Sequence, residues 1–413
     1  MPTAITKPTR AIGIFAATLS ALSIGVASTA SAATTSTGPA FIAWGPVAVT
    51  PTLGTDVKYS DNIYLQEDDT TESWIFVARP EVNFKAQDRE NIYQFDYKGE
   101  AAWYQEDSTN DRNDYFDNTF SADAYILPAE RWTLTGFASF AMLHEDRGTG
   151  LTEGEIGRLL SKPVRYDQTD FGGSLEYGSG IGRLELTAGY MDREYQNFRD
   201  FTRTRDLEQW GFGATFFYPI APKTDLLLDY TYDDFHYPNA FEDRPSLDSK
   251  QQSLQGGITW EISPNLESRA QIGYVDKDFN DPGRQDWDGI GWSLSLQIQP
   301  REQDIIKITG VRSPEETSLQ GDFVNRETLT IDWEHLWSDR FSTTVSLTGS
   351  REKYEGSFDD RDDDIYNFVV RGDYTFRRWC VFFVEYNYND RNSNADTLSY
   401  SENVFQVGAN LSL

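Results

Sequence analysis

From about Val47 to Leu413, apolar and aromatic residues occupy every second position for ten or so residues, break at a polar segment, and resume. In Asn91–Gln105, Tyr93, Phe95, Tyr97, Gly99, Ala101 and Trp103 share one parity, and Gln94, Asp96, Lys98 and Glu100 the other. Successive strand side chains point to opposite faces, so such a strand has one oily and one wet side. Trp132, Leu134, Gly136, Ala138, Phe140 and Met142 repeat the pattern, as do Phe341, Thr343, Val345, Leu347 and Gly349. Many strands of this kind, with aromatics at both ends, are the mark of a transmembrane β-barrel rather than a soluble sandwich.

Alternation and turn residues predict strands at 47–59, 73–87, 91–105, 115–127, 131–144, 166–178, 182–192, 206–218 and 224–236, then at 248–261, 265–277, 287–299, 303–313, 325–337, 340–352, 364–376, 379–390 and 402–413. The expected fold is therefore all-β: a single antiparallel barrel of about 18 strands, an even number as both termini on one side require. Connections alternate in length. Short ones such as Gln87–Glu90, Gly178–Gly180, Ser338–Asp339 and Arg377–Arg378 suit periplasmic turns. Long ones, from Asp61–Glu72 to Arg391–Ser401, suit extracellular loops, and a misreading by one strand would break the alternation midway. Tryptophans gather at strand ends, among them Trp44, Trp74, Trp103, Trp210, Trp287, Trp333 and Trp379, as expected for rings that settle at the membrane interface.

The first residues address the chain. Lys7 and Arg10 form a positive region, Ala11–Ala27 is uncharged and apolar, and Ala30-Ser31-Ala32 offers a cleavage site, so 1–32 reads as an export signal. Residues 33–46 are expected to form a periplasmic N-terminal segment, and 47–413 the barrel in a Gram-negative outer membrane. A mean hydropathy of −0.57 does not oppose this, because a barrel presents only one side of each strand to lipid. An aromatic content of 14% excludes a disordered polyacid. With Cys380 as the single cysteine, no intramolecular disulfide contributes.

A net charge of −30 makes nucleic acid an improbable partner. Acid collects in Glu67-Asp68-Asp69, Asp233-Asp234, Asp359-Asp360 and Asp362-Asp363-Asp364, where outer-face loops would meet lipopolysaccharide and divalent cations. No calcium-loop or other metal spacing occurs, so no metal or cofactor is assigned. The wet parity supplies candidate pore-lining residues of both signs: Arg79, Asp96, Lys98, Glu100, Asp123, Arg183, Glu185, Asp229, Arg269, Asp332, Arg371 and Glu385. The longest loop, rich in glycine and carrying Leu151, Ile156, Leu159 and Leu160, is the candidate to fold inward and narrow the bore, with Glu153, Glu155, Arg158 and Lys162 facing the path. His144, His236 and His335 fall on the lipid-side parity as interfacial rings, and no nucleophile elbow or phosphate loop is present, so no enzyme is expected.

Tyr59-Ser60-Asp61-Asn62-Ile63-Tyr64, Tyr93-x-Phe95-x-Tyr97-x-Gly99-Glu100 with Tyr104, Asp114-Tyr115-Phe116-Asp117, and Thr309-Gly310-Val311-Arg312-Ser313-Pro314-Glu315-Glu316 make the mature chain resemble the putative β-barrel porin 2 family. The resemblance extends to EpsL-like outer-membrane components. It implies a conduit or accessory for exopolysaccharide export, with a polysaccharide, periplasmic export components and the barrel-assembly machinery as partners. The chain departs from the usual terminal Phe of barrels by ending in Asn410-Leu411-Ser412-Leu413. Two other readings stay open: a diffusion porin for small hydrophilic solutes, and a surface scaffold barrel that transports nothing.

Overall fold

In the computed structural model the described residues are 41–105, 113–239, 245–263, 266–317, 321–356, 360–395 and 397–412. The expected leader 1–32 therefore lies outside them. A short strand, β1 (Ile42–Trp44), precedes eighteen long ones: β2 (Val47–Ser60), β3 (Ser73–Asp88), β4 (Asn91–Tyr104), β5 (Tyr115–Ala129), β6 (Trp132–Glu145), β7 (Val164–Gly178), β8 (Arg183–Tyr195), β9 (Leu207–Ala221) and β10 (Thr224–His236), followed by β11 (Ser249–Ser263), β12 (Leu266–Phe279), β13 (Trp287–Arg301), β14 (Asp304–Glu316), β15 (Phe323–Ser338), β16 (Phe341–Glu355), β17 (Asp362–Arg377), β18 (Cys380–Ser393) and β19 (Tyr400–Ser412). Each long strand pairs antiparallel with its sequence neighbours, and β19 pairs with β2 from Val404↔Ser60 to Ser412↔Thr52. That seam closes the barrel and leaves no long edge, the condition for strands to cross lipid with their backbone groups satisfied. Strand existence and parity follow the sequence pattern. Among the eighteen long strands the differences lie at strand ends, where β14 and β17 take in Pro314-Glu315-Glu316 and Asp362-Asp363 that the sequence assigned to loops.

β1 adds something the alternation did not predict. It pairs with the start of β2, Ile42↔Val49 to Trp44↔Val47, beyond the point where β19 ends. Part of the presumed periplasmic segment is thus wall.

The outer surface is the oily parity. Phe76, Phe95, Phe140, Leu186, Phe212, Leu228, Ile272, Leu347 and Val407 are all exposed. A belt of apolar side chains this extensive is stable only against lipid. Trp74, Trp103 and Trp210 stand on it near the long loops, and Trp132, Trp333, Trp337 and Trp379 near the short turns. Trp287 is the exception: it turns inward and packs on Phe323, ring centroids 5.8 Å apart.

The interior differs from the uniformly wet wall the alternation implied. At the loop end, inward positions are apolar and buried in three clusters. Ile63, Tyr64, Ile75, Val77 and Ala102 form one; Leu151, Val164, Tyr166 and Tyr195 a second; Met191, Leu207, Phe235, Tyr237, Leu247, Phe279 and Phe323 a third. Loops there fold onto the barrel's inner face and remove it from water, which is where burying apolar area is favourable.

Candidate functional site

All twelve candidate pore-lining residues project from the inward parity, opposite the exposed aromatics. Most are held. Arg79 bridges Asp56 and Glu100, the latter at 2.6 Å, and Glu100 also accepts from the Tyr115 hydroxyl at 2.5 Å. Arg183 lies 3.2 Å from Glu176 and 3.4 Å from Asp225, and Arg269 3.5 Å from Asp229. Arg371 lies 2.9 Å from Asp373 and 3.2 Å from Glu385. Asp96 accepts from Asn83 and Gln94, and Asp332 from Ser346. Lys98 and Asp123 carry no ion pair among the described residues.

Several arginines also lie over aromatic rings on the inward parity: Arg183 4.2 Å from the Phe217 centroid and Arg371 3.8 Å from that of Phe383. The sequence reading missed these rings. A guanidinium over a ring face gains cation–π attraction while its N–H groups stay free for carboxylates.

The long β6–β7 connection does fold inward, and by a specific device. Glu153 crosses to the β17–β18 side of the ring. Its Oε2 lies 2.8 Å from Arg361 Nη1, and its Oε1 3.1 Å from Arg361 Nη2 and 2.8 Å from Arg391 Nη1. Around the ring β18 is six places from β6 through the β19–β2 seam, so the contact ties the loop to strands a third of the way round the eighteen-strand barrel. Glycine makes the approach possible. Gly148, at φ +78°, passes so close to the β2–β3 loop that a Cβ there would sit 2.3 Å from the Tyr64 carbonyl oxygen. Arg147 stitches the loop internally by donating to the carbonyls of Gly157 (2.6 Å) and Leu160 (2.8 Å). Glu145 accepts from the Leu151 amide at 2.9 Å and from the Tyr195 hydroxyl at 2.7 Å.

Two expectations need correction here. Glu153 does not face an open path: it is buried and bound, while Glu155, Arg158 and Lys162 of the same loop are exposed. His144 does not face lipid. Above the last ladder pair of β5 and β6, Asn118↔Met142, the strands separate and the ring turns in. There its Nδ1 lies 2.9 Å from Asp117, and it stacks on Tyr115 at 3.6 Å. His236 and His335 keep the outward parity, each with an aspartate, Asp248 and Asp304.

Asp363 completes the site, bound by Arg361 at 2.6 Å, with Arg361 wholly buried. Burial disfavours the Glu153 anion, but Arg391 and Arg361 outweigh it and hold the carboxyl below the usual glutamate range. A depressed native pKa contributes docking stability that is full above the ordinary glutamate range and lost as pH falls through the lowered value. Loop docking is therefore expected to persist unchanged through the mildly acidic range and fail only in strong acid. Amide exchange of 148–160 measured against pH checks this, and release already at mildly acidic pH would contradict it.

No curated protein matches the chain. Among solved structures, it is similar to OpdL of Pseudomonas aeruginosa at 14% identity and a TM-score of 0.45, over 89% of this chain and 99% of that one. It is likewise similar to OccAB4 of Acinetobacter baumannii (11%, 0.44, 89% and 99%) and to a mutant of the ferric enterobactin receptor PfeA of P. aeruginosa (8%, 0.47, 88% and 80%). The family model described as putative beta-barrel porin 2 matches residues 37–413, and the chain belongs to that family.

Proposed function

We propose that this porin-type barrel is a narrowed diffusion channel of the Gram-negative outer membrane for small hydrophilic solutes, its long loops outside and its short turns in the periplasm. The observation that carries this reading is the inward β6–β7 loop, held by Glu153 to Arg361 and Arg391 six strands away, above a charged wall of which part is ion-paired. An inward loop restricts passage by size, and fixed charges on a wet wall select by sign. Seven of the twelve lining candidates are acidic and five basic, which favours cations. The export conduit implied by the family resemblance needs a bore wide enough for a polymer, and a loop docked inward runs against it. The lipid-facing belt would meet outer-membrane lipid and lipopolysaccharide.

Planar-bilayer recording of the purified barrel tests the proposal. Small ohmic steps are expected, with a reversal potential under a potassium chloride gradient on the cation-selective side. Permanent silence would leave the scaffold reading, and large steps that pass polymer would restore the export reading.

A further inference from the structure

The Glu153 side chain is bound as a free carboxylate ligand would be. Arg361 meets its two oxygens with both terminal nitrogens, and Arg391 adds a third contact to one of them. The planar two-oxygen fork is the arrangement by which arginine recognises carboxylates. Both guanidinium groups are prepositioned. Arg361 lies 3.9 Å over the Tyr354 ring, and Arg391 5.3 Å from the Tyr400 ring centroid. Asp363 engages Arg361 from the other side and is 3.8 Å from Arg391 Nε. Without Glu153, Arg361 and Arg391 would keep Asp363 as their one ion-paired carboxylate, while Glu352, which also acts on Arg391, is itself paired with Arg326.

On the channel reading above, we propose that Arg361 and Arg391 form a binding site for the carboxylate of a small solute, and that Glu153 is its tethered occupant. A solute carboxylate entering from the loop end competes with Glu153, and its binding and release of the loop are one exchange. Because the tether holds Glu153 at a high effective concentration, free carboxylate binds the native protein weakly. Removing the tethered group uncovers the site.

The test is calorimetric titration of the detergent-solubilised full barrel with sodium acetate, sodium succinate and inorganic phosphate at matched ionic strength. Glu153→Ala is expected to bind acetate and succinate saturably, at least about tenfold more tightly than the native chain, which carries its own competitor. Glu153→Ala combined with Arg391→Gln is expected to lose that binding, with heat-modifiable gel mobility showing that both variants are folded. Absence of saturable carboxylate binding to folded Glu153→Ala would overturn the proposal. So would equal binding by the double variant, or phosphate bound as tightly as carboxylate. Bilayer recording separates the two readings: ohmic steps without carboxylate binding sink the site and spare the channel, and binding by a silent barrel does the reverse.

Discussion

Arg361→Gln is expected to release the β6–β7 loop and raise single-channel conductance severalfold while the barrel stays folded. Arg361 is fully buried and holds Glu153 and Asp363 together. Its replacement leaves two buried carboxylates sharing only Arg391, and breaking a buried pair by removing one partner costs about 3–5 kcal/mol. The loop is expected to relieve this by swinging out, which returns Glu153 to water and leaves the eighteen strand ladders untouched. Glutamine retains much of the volume against Tyr354, so lost packing is a minor part of the effect. Arg351 supplies the contrast: it too pairs with an aspartate, Asp362, at 2.5 Å, but its side chain is 63% exposed. Arg351→Gln is expected to leave both stability and conductance essentially unchanged, because a solvent-exposed ion pair contributes little. Faster trypsin cleavage after the exposed Arg158 provides a second readout of release. Unchanged conductance and unchanged cleavage in Arg361→Gln would show that the contact does not hold the loop.

Strand number, order and facing were legible because a strand's repeat is two and lipid punishes every outward polar residue, as the run Tyr93, Phe95, Tyr97 records. The inward facing of the wall charges was legible for the same reason, by parity alone; which of them pair was not. What lay at the loop ends was not. Inward residues there meet folded loops rather than water, and no local repeat encodes a partner 208 residues away, as Arg361 is for Glu153. A faint signal existed. At Trp74-Ile75-Phe76-Val77 alternation gives way to four consecutive apolar residues, and Ile75 and Val77 are in fact buried inside. Such a run says that both faces of the strand are dry, so the bore is filled at that height. His144 was misplaced because β5 stops pairing with β6 at Asn118↔Met142 while β6 stays paired with β7, and on the side that β5 has left the ring turns onto Asp117 and Tyr115.

Gly408→Val is expected to abolish most of the folded barrel, the largest effect of any single substitution considered, because it strikes the seam. Gly408 stands in β19 directly opposite Asp56 of β2 on one side and Phe383 of β18 on the other. A Cβ there would meet the Thr55 carbonyl oxygen at 2.5 Å, the Asp56 Cβ at 2.6 Å and the Phe383 Cζ at 2.6 Å. None of the three can easily give way. The carbonyl belongs to the closing ladder, Asp56 is tied to Arg79, and Phe383 lies beneath Arg371, which Asp373 and Glu385 hold. Overpacking in a well-filled wall costs about 1–3 kcal/mol, but here the strain falls on the contact that turns a sheet into a cylinder. A seam that fails to close exposes backbone groups to hydrocarbon at several kcal/mol each. The change is therefore amplified from local strain to failed assembly, read as loss of the heat-modifiable band on a gel. Gly256 in β11 is the control: a Cβ there meets nothing within 4 Å, so Gly256→Ala is expected to assemble normally. If Gly408→Val gave as much heat-modifiable barrel as the native chain, the β19–β2 ladder would not be the step on which closure depends.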